Sequence, residues 1–254
     1  MNAPPPPVDG SVLILGGTGE ARDLASALRT ADVPVISSLA GRVARPRLPE
    51  GPVRIGGFGG VAGLASWLAD NTIRAVVDAT HPFAATITAH AVAACAATGV
   101  PLVRLRRPAW SPRPDDDWLP VRDIAGAATA VAGHRGRVLL TTGRQDVDAF
   151  VGNSSAWFLI RVVDPPTGDL PARHEILRSR GPYDLVAEHR LLQANRIDTL
   201  VTKNSGGVLT RPKLDAAREL GIRVIIVERP TEPVGLIAVD DVGAAAAWVG
   251  ERVR

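Results

Sequence analysis

Cysteine and aromatic residues are scarce in this chain of 254 residues, and each scarcity argues against a class of protein. The single cysteine, Cys95, cannot form an intrachain disulfide, and without a recognisable signal peptide this predicts the reducing cytoplasm. Aromatic residues make up 4% of the chain and basic residues form no block, so nucleic-acid binding is not predicted. Polar residues interrupt the most apolar stretch, residues 84–103, so no membrane span is predicted either.

Several catalytic motifs are also missing. No group of cysteines and histidines has the spacing of metal ligands, so no metal site is predicted. The chain lacks the G-x-x-x-x-G-K-[ST] loop of P-loop nucleotidases and the G-x-S-x-G turn of α/β-hydrolases. Tyr183 is the only tyrosine and no lysine follows it by four residues, which excludes the Tyr-x-x-x-Lys pair of short-chain dehydrogenases.

A glycine-rich turn near the start is the most informative feature that is present. The apolar run at residues 12–15 leads into Gly16–Gly17–Thr18–Gly19–Glu20, after which a helical pattern begins. Glycines let a backbone approach a phosphate closely, and the following helix start offers unpaired N–H groups. The turn therefore predicts a dinucleotide site of the βαβ type, although Arg22 stands where the third glycine of G-x-G-x-x-G is expected. A tight turn without a ligand is the alternative.

The segment after the second predicted strand indicates which dinucleotide is used. It reads Ser37–Ser38–Leu39–Ala40–Gly41–Arg42 and contains no acidic residue that could accept the ribose hydroxyls of NADH. Two hydroxyls and an arginine suit a 2′-phosphate, because a carboxylate would repel it. This favours NADPH, and the alternative for Arg42 is a solvated loop arginine.

Strand-like runs alternate with helical patterns through the whole chain, which predicts an α/β protein. We expect two Rossmann-like parallel-sheet domains with a cleft between them. Residues 1–106 would form an NADPH-binding domain, residues 107–120 a proline-rich crossing, and residues 121–254 a second α/β domain. The predicted strands are residues 12–15, 33–37, 53–55, 75–77, 102–105, 138–141, 157–162, 199–201 and 224–227.

A polar cluster follows the predicted strand at residues 75–77. It reads Asp78–Ala79–Thr80–His81–Pro82–Phe83 and precedes a predicted helix over residues 84–98. His81 is a candidate to orient a ligand or donate a proton, and a purely structural histidine is the alternative. For Thr80, capping of the helix is the alternative to ligand binding.

The second half contains three donor-rich loops. They read Thr142–Gly143–Arg144–Gln145, Arg178–Ser179–Arg180–Gly181–Pro182–Tyr183 and Thr202–Lys203–Asn204–Ser205–Gly206–Gly207. Cations, hydroxyls and glycines in such loops suit the binding of an anion, and the net charge of +3 fits an anionic cofactor or substrate. A glycine loop with a surface lysine is the alternative for the last of them.

With these loops in place, the chain resembles the precorrin-6A reductase family of cobalamin biosynthesis. The resemblance is carried by six motifs in family order: GGTGEAR from residue 16, SLAGR from 38, DATHPFA from 78, TTGR from 141, SRGPY from 179 and TKNSGG from 202. It implies NADPH-dependent reduction of one double bond of the precorrin-6A macrocycle, which gives precorrin-6B. Anaerobic relatives act on the cobalt-containing macrocycle, and the resemblance leaves open which form is used.

The motifs and the resemblance together define a set of expected site residues. We expect His81 and Lys203 to be catalytic. The expected cofactor ligands are Gly16, Gly17, Thr18, Gly19, Glu20, Ser37, Ser38, Gly41, Arg42, Thr80 and His81. The expected substrate ligands are Thr142, Gly143, Arg144, Arg180, Lys203, Ser205, Gly206 and Gly207.

Two other functions remain open at this point. A non-catalytic NADP-binding sensor and a reductase of another polycarboxylate would each show the same pattern. The expected partner is the anionic macrocycle, with no nucleic acid and no membrane, and contact with neighbouring enzymes of the pathway is a further expectation.

Overall fold

The computed structural model describes residues 10–41 and 45–253. These residues form two compact units. The first unit consists of the chain up to Arg107 together with the segment from Pro230 onward, and the second unit consists of Pro108–Arg229. Each unit contains one six-stranded sheet in which every pairing is parallel. The predicted α/β class with two Rossmann-like domains is confirmed, whereas the cleft stays a prediction.

The elements alternate along the chain. The strands are β1 (Val12–Leu15), β2 (Val35–Leu39), β3 (Val53–Ile55), β4 (Ala75–Asp78), β5 (Leu102–Leu105), β6 (Trp118–Val121), β7 (Arg137–Leu140), β8 (Trp157–Val162), β9 (His174–Arg178), β10 (Thr199–Lys203), β11 (Arg223–Val227) and β12 (Ala238–Val239). The helices are α1 (Gly19–Thr30), α2 (Gly60–Asp70), α3 (Ala85–Thr98), α4 (Ile124–Ala130), α5 (Leu185–Ala194), α6 (Pro212–Glu219) and α7 (Val242–Gly250), with a 3₁₀ turn at Asp148–Phe150.

The sheet of the first unit has the order β12-β5-β4-β1-β2-β3. All residues of β1 and β4 are buried, as expected for central parallel strands that are covered on both faces. One face packs against α1 and α7 in a core that includes Leu24, Leu28 and Val249. The other face packs against α2 and α3 through Leu64, Leu68 and other buried side chains. This layering presents the carboxyl ends of the strands at one edge of the unit.

The sheet of the second unit has the order β6-β11-β10-β7-β8-β9. Its core joins the buried residues of β7, β8, β10 and β11 to α5 and α6. Trp110, which precedes β6, is also buried in this core. The stretch predicted as an interdomain crossing, residues 107–120, is therefore mostly part of the second unit. Pro120 lies within β6, where a proline is tolerated because β6 is an edge strand.

The predicted boundary of the second domain at residue 254 is wrong, because the chain returns to the first unit after Arg229. In the returning segment β12 pairs with β5, in the register Ala238 with Arg104 and Val239 with Leu105. Helix α7 then packs against α1 and buries Trp248 and Val249. A two-residue strand has too short an apolar run to be recognised, so the return leaves no local pattern in the sequence.

The three strands that sequence analysis missed, β6, β9 and β12, are all at sheet edges. Edge strands are half exposed and lack the continuous apolar run of a central parallel strand. Strands β1, β3, β5 and β8 have the predicted bounds. Strand β2 extends to Leu39, two residues further than predicted.

Among the residues that the structure describes, no helix is both long and apolar enough to cross a membrane.

We expect Trp248→Ala to destabilise the first unit by about 3 kcal/mol, because the indole is 9% exposed and its loss leaves a cavity beside α1. Urea denaturation followed by circular dichroism measures the change. Glu251→Ala is the matched control, since its side chain is 73% exposed on the same C-terminal turn. Equal stability of the two variants would show that α7 is not part of this core.

Candidate functional site

In the first unit, the predicted site residues lie at the carboxyl ends of β1, β2 and β4. Strand β1 pairs with β2 on one side and with β4 on the other, so the chain first adds β2 and β3 on one side of β1 and then crosses to β4 and β5 on the other. Parallel α/β sheets open a crevice at such a switch point, and ligands bind there. The loops after β1 and β4 both carry predicted site residues.

The loop after β1 is tied to both neighbouring strands. The Gly16 amide donates to the Ser38 carbonyl at 2.9 Å, and the Thr18 hydroxyl donates to the Ala79 carbonyl at 2.8 Å. Thr18 also caps α1 by accepting from the Ala21 amide at 3.1 Å. The predicted turn and helix start are confirmed, and Gly19 is the first residue of the helix.

Gly17 leaves its backbone open to close approach. Its φ of +117° is a conformation that L side chains rarely adopt, and no heavy atom lies within 4 Å of where a Cβ would stand. The residue is exposed. Gly17 therefore combines a backbone that requires glycine with open space above it.

Glu20 brings a negative charge into the first turn of α1, next to the predicted phosphate site. Arg107 offsets it, since its Nη1 lies 2.9 and 3.1 Å from the two Glu20 carboxylate oxygens. This arginine follows β5 and is 87 residues away in sequence. The sequence offered no signal for the pairing.

The residues predicted to bind a 2′-phosphate are arranged differently from the expectation. Ser37 and Ser38 belong to β2 and are buried, instead of lying in a loop after it. No described residue hydrogen-bonds to the Ser37 hydroxyl, whereas the Ser38 hydroxyl lies 3.3 Å from Arg54 Nη1. Gly41 is exposed with φ +74°, and Arg42 lies outside the described residues.

Arg54, on β3, is a cation at this end of the sheet that sequence analysis missed. Its two terminal nitrogens each donate at 2.6 Å, one to the Gly56 carbonyl and the other to the Gly57 carbonyl. Its guanidinium also stacks 3.7 Å from the Phe58 ring centre. Burial lowers the pKa of Arg54 from its ordinary value. Arg54 thus fixes the glycine-rich loop that precedes α2.

Asp78 anchors the loop after β4. Its carboxylate is fully buried and pairs with the guanidinium of Arg104, which is also buried, on the adjacent strand β5. It further accepts from the Thr88 hydroxyl at 2.7 Å, from the Thr80 hydroxyl at 2.7 Å and from the Thr80 amide at 3.1 Å. A buried charge needs such compensation. Asp78 is therefore the residue that orients the loop carrying Thr80 and His81.

The alternative that Thr80 caps the following helix is wrong. Helix α3 begins at Ala85, and its cap residue Ala84 provides no side-chain hydrogen bond. The Thr80 hydroxyl instead bonds to Asp78. His81 Nδ1 accepts from the Phe83 amide at 3.3 Å. His81 itself is half-buried.

The returning segment completes this part of the site. Glu232 Oε1 lies 2.9 Å from Arg104 Nε, and its Oε2 lies 2.7 Å from Arg106 Nη1. Arg106 and Arg107 border an open depression together with residues of the loops after β1 and β4. The other residues around it are Thr18, Glu20, Ala79, Thr80, Pro82 and Leu105. The structure thus brings Thr18, Glu20 and Thr80 together, as predicted, and adds two arginines.

In the second unit, β7 and β10 are neighbours, so the loops that follow them lie side by side. Lys203 is the last residue of β10, and its ammonium pairs with the Asp146 carboxylate at 2.5 Å. Gly143 is exposed with φ +96°. The Thr142 hydroxyl is buried, and no described residue hydrogen-bonds to it. Lys203 therefore lies next to the loop that carries Thr142, Gly143 and Arg144, and it contacts that loop through Asp146.

The loop after Lys203 is held rigidly. The Asn204 side chain accepts from the Trp110 amide at 2.8 Å and donates to the Trp110 carbonyl at 3.1 Å. The Trp110 indole donates to the Gly207 carbonyl at 2.8 Å. A side chain at Gly206, whose φ is +69°, would collide with the Pro108 carbonyl oxygen. Asn204 and Gly206 therefore shape the loop, and Ser205, between them, is half-buried.

Two remaining features bear on the chemistry. Among the described residues, no group of three or more His, Cys, Asp and Glu side chains is arranged to hold a metal ion.

Burial, and secondarily the charge of Asp78, raises the pKa of the Cys95 thiol to about 12. Cys95 therefore stays protonated and unreactive at neutral pH.

Comparison with known proteins agrees with the geometry. Residues 11–250 match the family described as Precorrin-6x reductase CbiJ/CobK. A precorrin-6A reductase of Rhodococcus erythropolis is 54% identical over 96% of this chain and 98% of its own length. One from Mycobacterium tuberculosis (strain CDC 1551 / Oshkosh) is 56% identical over 94% of this chain and 96% of its own length.

A more distant relative and a solved structure complete the comparison. A cobalt-precorrin-6A reductase of Salmonella typhimurium is 30% identical over 96% of both chains. The solved structure of "CobK precorrin-6A reductase" superposes with a TM-score of 0.91 at 39% identity, over 96% of this chain and 97% of that one. The chain therefore belongs to the precorrin-6x reductase family CbiJ/CobK, whose members are oxidoreductases of cobalamin biosynthesis.

Proposed function

We propose that this enzyme uses NADPH to reduce one double bond of precorrin-6A and so produces precorrin-6B. The observation that carries the proposal is the exposed Gly17 turn, which Thr18 ties to the loop of Thr80 and His81. Relatives that are 54% and 56% identical bear the name precorrin-6A reductase, whereas a cobalt-precorrin-6A reductase is 30% identical. This difference favours the cobalt-free macrocycle as substrate.

The residues after β1 fit a dinucleotide. The open space over Gly17 admits a phosphate oxygen, and the start of α1 adds backbone donors and the positive end of the helix dipole. Arg107 offsets the charge of Glu20, which would otherwise repel a phosphate. We therefore assign Gly16, Gly17, Thr18 and Gly19 to the diphosphate.

The cofactor supplies the hydride, and the protein binds, orients and excludes water. We assign Thr80 and His81 to the nicotinamide end, because their loop follows β4 and borders the same depression as Thr18. Asp78 holds Thr80 through two hydrogen bonds, so the loop is set before a ligand binds. In the second unit we assign Lys203, Arg144 and Arg180 to the carboxylates of the macrocycle.

The preference for NADPH over NADH rests on the absence of an acidic residue after β2 and on Arg42. The Ser37 and Ser38 side chains are buried in β2, so they support this proposal less than the sequence pattern suggested. A charged hydrogen bond contributes about 1.5–3 kcal/mol.

Arg42→Ala should accordingly weaken NADPH binding at least about tenfold and leave NADH binding nearly unchanged. Titration of both cofactors, followed by fluorescence, measures the two affinities. An equal loss for both cofactors would remove Arg42 from the 2′-phosphate site.

We expect His81→Asn to lower kcat while cofactor affinity stays nearly constant. Asparagine keeps an acceptor for the Phe83 amide but lacks a donor in the position of Nε2. Help from a general acid is typically worth about 10²–10⁴-fold, and a lost hydrogen bond less. His81→Gln is the matched variant, because its amide nitrogen can replace Nε2. If His81→Asn keeps full kcat, His81 has only a structural role.

The two lysines of the chain allow a controlled comparison. Lys203→Ala should raise KM for the macrocycle or lower kcat about tenfold, since it removes a cation at the end of β10. Lys213 is buried, donates to the Thr210 carbonyl at 2.9 Å and lies 4.4 Å from the Trp110 ring centre. Lys213→Ala should therefore lower thermal stability.

Steady-state kinetics and thermal melting of both variants separate the two roles. Unchanged kinetics in Lys203→Ala would leave that lysine as a structural partner of Asp146.

The reaction itself is tested with purified precorrin-6A and NADPH. The expected result is loss of NADPH absorbance together with a product two hydrogens heavier than the substrate. Folded enzyme that binds NADPH but consumes none with either the cobalt-free or the cobalt form would favour a non-catalytic sensor. If the enzyme oxidises NADPH with a different polycarboxylate but not with precorrin-6A, it is a reductase of that other substrate.

The remaining proposals concern location and partners. The single cysteine supports a reducing compartment, and we propose the cytoplasm. Contact with neighbouring enzymes of the pathway stays a prediction.

A further inference from the structure

The second unit contains an aromatic side chain that is supported by a buried ion pair. Arg161, on β8, is buried and pairs with the buried Glu188 of α5 at 2.5 Å. The Arg161 guanidinium carbon lies 4.2 Å from the centre of the Tyr183 ring. A buried ion pair is costly to desolvate, so it is retained where it fixes a particular geometry. Here it backs one face of the Tyr183 ring.

A backbone hydrogen bond also restrains Tyr183. Its amide donates to the Leu209 carbonyl at 3.2 Å, which joins the segment after β9 to the segment after β10. A Cβ at Gly181 would stand 3.3 Å from the ring atom Cε2, so a side chain there would press against the ring. The Arg161 guanidinium and this backbone hydrogen bond therefore position Tyr183, which is half-buried.

The surroundings of Tyr183 are apolar and exposed. Leu209, which accepts its amide, is 51% exposed, and the adjacent Val208 is 82% exposed. Clustered exposed apolar side chains mark binding surfaces more often than isolated ones do. Arg180 precedes Tyr183 by three residues, is exposed, and forms no ion pair with any residue that the structure describes. An apolar surface beside an available cation suits a ligand with an apolar body and an anionic rim.

We propose that Tyr183, Val208 and Leu209 contact the apolar face of the macrocycle, next to the carboxylate that is assigned above to Arg180. This assignment rests on the proposed function, because a conjugated tetrapyrrole with acetate and propionate groups has the required chemistry. Arg161 and Glu188 are positioning residues that act through the Tyr183 ring. The aromatic ring, not its hydroxyl, makes the contact, because the ring is what the protein positions.

Equilibrium titration of precorrin-6A without NADPH, together with steady-state kinetics, tests the proposal. Tyr183→Ala should raise the dissociation constant and KM for precorrin-6A about tenfold, with NADPH affinity unchanged. Tyr183→Phe should stay within about twofold of the unaltered enzyme, because it keeps the ring. Arg180→Ala should also weaken binding about tenfold, through the loss of a charged contact.

Arg135→Ala is the matched control for Arg180→Ala. Arg135 is an exposed arginine of the same unit, but it precedes β7 and so lies at the amino ends of the strands. Arg135→Ala should leave the dissociation constant and the KM for precorrin-6A unchanged. Thermal melting of every variant shows whether the fold is kept. If Tyr183→Ala does not fold, the precorrin-6A affinities of Arg180→Ala and Leu209→Ser test the proposal instead, because both substitutions are at exposed positions.

Unchanged precorrin-6A binding in both Arg180→Ala and Leu209→Ser, with an active parent enzyme, would overturn the proposal and leave the proposed function intact. A loss in Tyr183→Phe as large as in Tyr183→Ala would overturn the role of the ring. If the unaltered enzyme neither binds nor reduces precorrin-6A, the proposed function itself is refuted, and the inference that rests on it is refuted as well.

Discussion

The pairing of Asp78 with Arg104 is the interaction on which the first unit depends. Both side chains are essentially without exposure, at the carboxyl ends of adjacent strands β4 and β5. Removal of either partner would leave an uncompensated charge in the interior, which is far more costly than loss of a surface ion pair. Thr88 of α3 and Glu232 of the returning segment complete the compensation. One buried arginine thus connects two strands, a helix and the last part of the chain.

The Asp78–Arg104 pair joins the returning segment of the chain to the loop after β4. The segment that supplies Glu232 comes after the whole second unit, and β12 then pairs with β5. The first unit is therefore complete only when the chain has left it and returned. Asp78, the buried partner of the arginine that binds Glu232, also orients Thr80 in the loop after β4. A single carboxylate thus stabilises the interior and orients this loop, which explains why an acid stands in an otherwise apolar strand.

The second unit uses comparable means at the carboxyl ends of its strands. Arg161 and Glu188 form a buried pair, and Asn204 holds the backbone of Trp110 with two hydrogen bonds. In both units, buried polar groups fix the loops that carry the proposed ligand-binding residues. Such prior positioning lowers the entropy that binding would otherwise cost.

The sequence by itself determined the α/β class, the central strands, the glycine-rich turn and the family, because apolar runs and short motifs are local signals. It did not reveal the edge strands β6, β9 and β12 or the return of the chain after Arg229. It named Thr80 and His81 but not Arg104, the buried partner of Asp78. It also missed the pairing of Glu20 with Arg107, which are 87 residues apart, and of Arg106 with Glu232, which are 126 apart. Only the tertiary structure decided these pairings, because an ion pair between distant segments depends on where the strands place them and leaves no periodic pattern in the chain.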